Sequence, residues 1–206
     1  MFVKRNGILK TMARKTAHEA EKTRKALLRV GQELFAQNGF EAVSAEEIAT
    51  GASVTRGALY HHFGGKLGLF REVVAAVFEA QGVAILEKAE AQSDPREALL
   101  AGCAVFIRYS LRQEYRRIVM IDAPSVLGID EWHDLDRKHT TSTLKAALEE
   151  LPRSHVLGDI DALTEALSGA MNQLSLWAGA EGTVGRAEEM IRTLLMTLGG
   201  APKRDE

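Results

Sequence analysis

The sequence has one cysteine, four prolines and no apolar run long enough to span a membrane. A lone Cys103 in 206 residues excludes a disulfide framework and a cysteine-rich zinc site, and it fits a reducing compartment. Scarce proline with 46 % hydrophobic residues argues against a disordered chain. The first residues, MFVKRNGILKTMARK, are basic but lack the apolar centre of a secretory signal, so a cytoplasmic location is expected. Strand-type alternation is missing. So are the Gly-x-Ser-x-Gly elbow of esterases and the glycine-rich loop that cradles phosphates. The sequence therefore predicts no enzyme, no catalytic residue, no metal site and no cofactor.

What is present is a division of charge. Residues 1–71 hold 12 Lys or Arg against 6 Asp or Glu, and the rest hold 14 against 22, so a net of -2 conceals halves of +6 and -8. A basic N-terminal third suits a polyanion, because each cation that neutralises a phosphate releases condensed counterions. The plainer alternative is a solvated surface with a basic tail.

Apolar spacing reads as helix throughout. Between Ala17 and Asn38, Leu27, Val30, Leu34 and Phe35 share one face, and Gly39 follows where a left-handed cap is wanted. Ser44-Ala45-Glu46-Glu47 has the spacing of a capping box. The short helix that begins there carries Ile48 and Ala49 inward and must stop by Gly51 to Ser53, because another pattern starts near Thr55. Two short helices joined by a tight turn make a helix-turn-helix, whose second helix enters the major groove of DNA. On that helix Val54, Leu59 and Phe63 are expected inward, leaving Thr55, Arg56, Gly57, Tyr60, His61 and His62 outward. Arg56 can fork onto guanine O6 and N7, while Gly57 and Ala58 permit close backbone approach. Tyr60 and the two histidines can reach phosphate or sugar, and Lys66 can hold a further phosphate.

The stretch TRKALLRVGQELFAQNGFEAVSAEEIATGASVTRGALYHHFGGKLGLF, Thr23 to Phe70, resembles the tetracycline-repressor (TetR) type of bacterial transcriptional regulator. Leu34-Phe35, Asn38-Gly39-Phe40, Ser44, Ile48-Ala49, Val54, Gly57, Leu59-Tyr60, Phe63 and Lys66 carry that resemblance. It implies that Arg56, Gly57, Ala58 and His61 lie nearest base edges. It further implies backbone contacts from Tyr60, His62 and Lys66, with Ser44 and Ala45 near phosphate. Three features depart from the family pattern. Ser53 takes a turn position where glycine is usual, so left-handed backbone there carries a small penalty. Gly64, Gly65 and Gly68 stand where helix-favouring residues are commoner, and Glu46 stands where a positive charge would help.

The expected fold is all-α. A basic flexible arm (1–16) and a three-helix DNA-binding domain with the helix-turn-helix (17–66) precede a larger helical effector-binding and dimerisation domain (67–200) and a tail (201–206). A linking helix is expected over 66–91, and Ser93-Asp94-Pro95 opens the next, which runs to about residue 114. YRRIVMIDAPSVLG should give a short helix broken near Pro124, followed by helices over 132–151, 159–178 and 184–198. Leu163, Leu167, Ala170 and Leu174, with Ile191, Leu194, Leu195 and Leu198, are the expected dimer interface, paired as a four-helix bundle. The same residues could instead close the monomer's own core. An effector pocket is expected among Phe106, Tyr109, Met120, Asp122, Trp132, His133, Asn172, Gln173 and Trp177.

These expectations describe a homodimeric repressor released from a palindromic double-stranded operator by a small, largely apolar effector. An activator and a ligand-independent regulator fit the same residues. A helical metalloprotein would have to use Asp130 with His133 and Asp136 with His139, whose angular positions do not converge on one site.

Overall fold

The computed structural model describes the backbone of residues 3–152 and 158–198, and the side chains of 17–152 and 158–197. The described chain is helical and divides into two compact units, Met1–Val73 and Val74–Glu206.

In the first unit α1 spans Val3–Asn38, so helix extends through the stretch expected to be a flexible arm. That stretch has no proline and carries three Lys, two Arg and two Met, which favour helix. The N–H of Gly39 closes the helix on the Phe35 carbonyl at 2.9 Å with a left-handed φ of 80°. α2 (Ala45–Gly51) opens on the capping box: Glu47 N–H donates to Ser44 Oγ at 3.1 Å and Ser44 N–H to Glu47 Oε2 at 2.7 Å. α3 (Arg56–Phe63) begins at Thr55, whose hydroxyl accepts from Ala58 N–H at 3.2 Å. Between α2 and α3, Ser53 takes φ 56°, the left-handed conformation that its position demanded. Val54 N–H then returns to the Ala49 carbonyl at 3.0 Å, which closes the turn.

Leu27, Val30, Phe35, Ile48, Leu59 and Phe70 are sealed together in the core of this unit. The Phe70 ring packs on Phe35 at 5.1 Å and Phe40 at 4.8 Å. Outside that core, Arg24 of α1 pairs with Glu72 at 2.5 Å and lies 5.6 Å over the Phe63 ring, which fastens α3 to its neighbours.

The glycines after α3 have physical reasons. Gly64 caps α3 at φ 73° and donates to the Tyr60 carbonyl at 2.9 Å. At Gly68, in the first turn of α4 (Lys66–Glu90), a Cβ would lie 1.8 Å from the Phe63 carbonyl oxygen. Only hydrogen fits there.

The second unit holds the rest of α4 and the helices after it. α5 (Pro95–Ser110) starts on Asp94, whose carboxylate accepts from the N–H groups of Arg96 and Glu97, both at 3.0 Å. It ends four residues before the expected boundary. α6 (Gln113–Tyr115) leads into a π-helical segment, Arg116–Asp122, and then α7 (Ala123–Leu127). Pro124 therefore does not break a helix. It sits in the first turn of α7, where its missing N–H costs nothing. The helix expected over 132–151 is likewise divided into α8 (Ile129–Asp136), a π-helical turn (Arg137–Thr141) and α9 (Ser142–Glu149). α10 (Ile160–Glu181) and α11 (Val184–Leu198) complete the unit, and its core joins Leu100, Ile107, Leu148, Leu167, Met171 and Ile191.

Two substitutions test this packing by chemical denaturation. Ser53→Gly should leave stability unchanged or raise it by up to about 1 kcal/mol, because glycine carries no left-handed penalty. Gly68→Ala should lower it by about 1 to 3 kcal/mol through the backbone clash. A destabilised Ser53→Gly or a neutral Gly68→Ala would contradict the turn and helix-start geometry.

Candidate nucleic-acid interface

α3 is a short rod with one buried residue. Leu59 is fully covered, Val54, Ala58, His62 and Phe63 are half-buried, and Thr55, Arg56, Gly57, Tyr60 and His61 are exposed. His61 stands on the side of α3 away from the buried Leu59, while Arg56, in the first turn, and Tyr60 flank Leu59 and are exposed. Ser44 is exposed and Ala45 half-buried at the start of α2.

Arg56 and Tyr60, one turn apart, are in contact. Arg56 Nη2 donates to Tyr60 Oη at 3.2 Å, and the guanidinium lies 5.3 Å over the ring. The hydroxyl, and more weakly Glu46 of α2, hold the guanidinium proton more firmly than usual. Glu46 is exposed, whereas Glu47 is taken up by the cap, which holds its carboxyl below the ordinary value through the Ser44 N–H. His61 and His62 meet edge to face at 5.4 Å.

Lys66 has an occupation that its sequence position did not reveal. Its ammonium donates to the Phe40 carbonyl at 3.0 Å and rests 4.0 Å from the Phe40 ring centroid. It ties the start of α4 to the loop after α1.

The residues expected to form an effector pocket are dispersed. Phe106 lines a cavity of about 40 Å³ bounded by Ile85, Leu99, Cys103, Thr140 and Met171. Met120 and Trp132 are buried, and the indole N–H of Trp132 donates to the Val119 carbonyl at 2.7 Å. Tyr109 packs on Tyr115 at 5.6 Å and faces a shallow groove with Arg108 and Arg112. Asp122 pairs with Arg117, Trp177 lies under Arg186, and His133 and Gln173 are exposed. The expected pocket residues belong to four separate stretches, Pro95–Ser110, Arg116–Asp122, Ile129–Asp136 and Ile160–Glu181, and helical periodicity alone does not say which of their faces meet.

Asn172 leads to a cluster that sequence reasoning missed. It donates at 3.3 Å to Asp136, which is only 3 % exposed. Thr140 also donates to that carboxylate, as do Thr141 at 3.3 Å and Ser168 at 3.4 Å. The usable signal was an Asp followed at four and five residues by hydroxyls, the reach of side chains one helical turn apart. Asp136 is thus satisfied by hydroxyl and amide donors. Among the described residues, no three His, Cys, Asp or Glu side chains stand close enough to share a metal ion. Cys103 is walled into the core, and burial pushes its thiol up to about 12.

Leu167, Ile191 and Leu195 are buried within the single chain, so they close this unit's own core and present no surface to a partner. Leu163, Ala170, Leu174 and Leu194 are half-buried against the same core. The side chain of Leu198 lies outside the described residues. The strongest apolar stripe on a helix serves the fold before it serves an interface.

Residues 27–73 match the domain described as bacterial regulatory proteins, tetR family, and residues 96–201 match the tetracyclin repressor-like C-terminal domain. The chain belongs to the TetR family. A structure of a TetR-family regulator from Pectobacterium atrosepticum superposes with a TM-score of 0.76 at 27 % identity, covering 90 % of this chain and 98 % of that one. The regulator AcrR of Shigella flexneri is 39 % identical over 110 residues, 53 % of this chain and 51 % of AcrR. The repressor BepR of Brucella suis is 41 % identical over 61 residues, 30 % of this chain and 29 % of BepR. The chain's match therefore spans about half of AcrR and less of BepR. No described helix is long and apolar enough to cross a membrane.

One titratable group in the C-terminal TetR unit should be visible in solution. Burial, with Lys138 adding to it, holds His139 below its ordinary value, and its Nε2 is buried with no hydrogen-bond partner. The fold favours the neutral ring, so this stabilisation is present above roughly pH 6.5 and is lost as pH falls below it. Melting curves between about pH 7.5 and 5.5 should therefore fall less steeply for His139→Gln than for the unaltered chain. Identical slopes would contradict the assignment.

Proposed function

We propose that the chain is a sequence-specific DNA-binding transcriptional regulator of the cytoplasm, acting as a homodimeric repressor on a palindromic operator and released by a small, largely apolar effector. The observation that carries this reading is the exposed Arg56, Tyr60 and His61 on a helix anchored by Leu59. In this reading Arg56, Gly57, Ala58 and His61 meet base edges, while Ser44, Ala45, Thr55 and His62 meet the backbone and Tyr60 stands beside Arg56. Lys66 serves both the fold and the phosphate. BepR, similar over the DNA-binding segment, is named a repressor, which supports that sign of regulation.

Dimerisation follows from the task, because two recognition helices about 34 Å apart can read both half-sites on one face of the duplex. On α10 the exposed Ala162, Ala166 and Gly169 form a face of small side chains that ends at Gln173, with Met190 and Met196 exposed on α11. Small residues let helices approach closely, and we assign the partner contact to this face together with the half-buried Leu163, Ala170, Leu174 and Leu194.

The cavity supplies the release mechanism. At about 40 Å³ it is far short of the roughly 150 Å³ that holds a benzene ring, so an effector must move its walls. Ile85 of α4 is one of those walls, and α4 runs unbroken from Lys66 to Glu90, so displacement there is passed along the helix to the DNA-binding unit. A differential affinity of about 1 to 3 kcal/mol would change operator occupancy roughly 5- to 150-fold.

Footprinting of genomic DNA from the source organism should reveal an inverted repeat protected on one face, with half-sites about 34 Å apart. Arg56→Ala should relax preference at one base pair per half-site, at about 1 to 3 kcal/mol, without a matching loss on unrelated DNA. Equal loss on every sequence, or no protected repeat, would overturn the reading.

A further inference from the structure

Tyr60 has 46 % of its surface exposed, yet its ring is held from two sides. Arg56 covers one side, with its guanidinium carbon 5.3 Å from the ring centroid and Nη2 at 3.2 Å from Oη. Gly65 adjoins the ring elsewhere: a Cβ there would stand 3.4 Å from Tyr60 Cε1 and 3.8 Å from Cζ. Gly65 thus sets its backbone beside the ring edge, at a φ of 132° that favours glycine. The contact between Arg56 and Tyr60 uses only one of the guanidinium's five N–H donors, so four remain, enough for the two-donor fork a purine edge takes.

We infer that Tyr60 is a positioning residue for base readout: its ring and hydroxyl hold the Arg56 guanidinium level and extended before DNA arrives. This rests on the reading of α3 as the helix that enters the major groove. A free arginine loses rotamer freedom when it forks onto a base, and a guanidinium already fixed on Tyr60 loses less. The advantage appears only where Arg56 meets its guanine. Tyr60 therefore contributes to discrimination between sequences, a role distinct from a phosphate contact, which strengthens binding to every duplex alike. Gly65 follows as part of the same device.

The test uses the full-length chain and an inverted-repeat duplex selected from random DNA by the unaltered protein. A second duplex has the base pair exchanged at which Arg56→Ala loses its preference. Tyr60→Phe keeps the ring and removes the hydroxyl; Tyr60→Ala removes both. On the selected duplex, losses of about threefold for Tyr60→Phe and about tenfold for Tyr60→Ala are expected. Neither loss should appear on the exchanged duplex or in an Arg56→Ala background, the salt slope should stay the same, and melting should be unchanged. Equal losses on both duplexes, losses that persist without Arg56, or a salt slope shallower by about one would make Tyr60 an independent phosphate contact and overturn the role. Failure to enrich any duplex would sink the regulator reading along with it, whereas enrichment with additive losses sinks this role alone.

Discussion

Leu59 decides which way the candidate interface faces. α3 has eight residues, well below the length at which an isolated helix is stable in water, so it exists only because other parts of the chain hold it. Burying a leucine contributes roughly 1.5 to 3 kcal/mol, and that is the helix's one fully buried side chain. Thr55 ties down its start, Gly64 its end, and Arg24 packs on Phe63 beside it. With Leu59 inward, the 3.6-residue repeat carries His61 to the far side, and Arg56 and Tyr60 flank Leu59 with their side chains in solvent. Arginine and histidine on a surface are ordinary; their collection on a rod held at both ends is what gives them a use.

The second unit depends on a different constraint. It buries polar side chains and joins two of them, Gln81 and Asp136, to partners on neighbouring elements. Gln81, fully buried, accepts from the Tyr115 hydroxyl at 2.7 Å and donates to Ser110 at 3.0 Å, joining α4, α5 and α6. Asp136 does the same for the π-helical turn and α10 through Thr140, Ser168 and Asn172. Partners of this kind fix helix positions more narrowly than apolar contact does, because an unpaired buried group costs about 1 to 3 kcal/mol. Thr140 belongs both to that polar cluster and to the wall of the cavity.

The DNA-binding unit was legible because its signals are local. Ser44 with Glu47, Gly39 after Phe35, Ser53 in a tight turn and Leu59 inward each follow from residues a few positions apart, and each has its expected geometry. Lys66 was harder, because its bond to the Phe40 carbonyl spans 26 residues and leaves no mark in local spacing. In the second unit, apolar periodicity indicates helices over 159–178 and 184–198, observed over 160–181 and 184–198, but points their apolar stripes to an interface. Burial of Leu167, Ile191 and Leu195 shows that the single chain needs them first. The residues expected to line a pocket come from four separate stretches, and which faces of those stretches meet depends on long-range packing that local spacing does not show.

The central claim is that α3 reads DNA from the major groove through Arg56. Methylation interference with dimethyl sulfate tests it directly, because the reagent marks guanine N7 in the major groove and adenine N3 in the minor groove. The account predicts that methylating one guanine in each half-site abolishes binding and that adenine methylation in the same half-site is tolerated. Interference confined to adenine N3, or absent from every guanine, would contradict it.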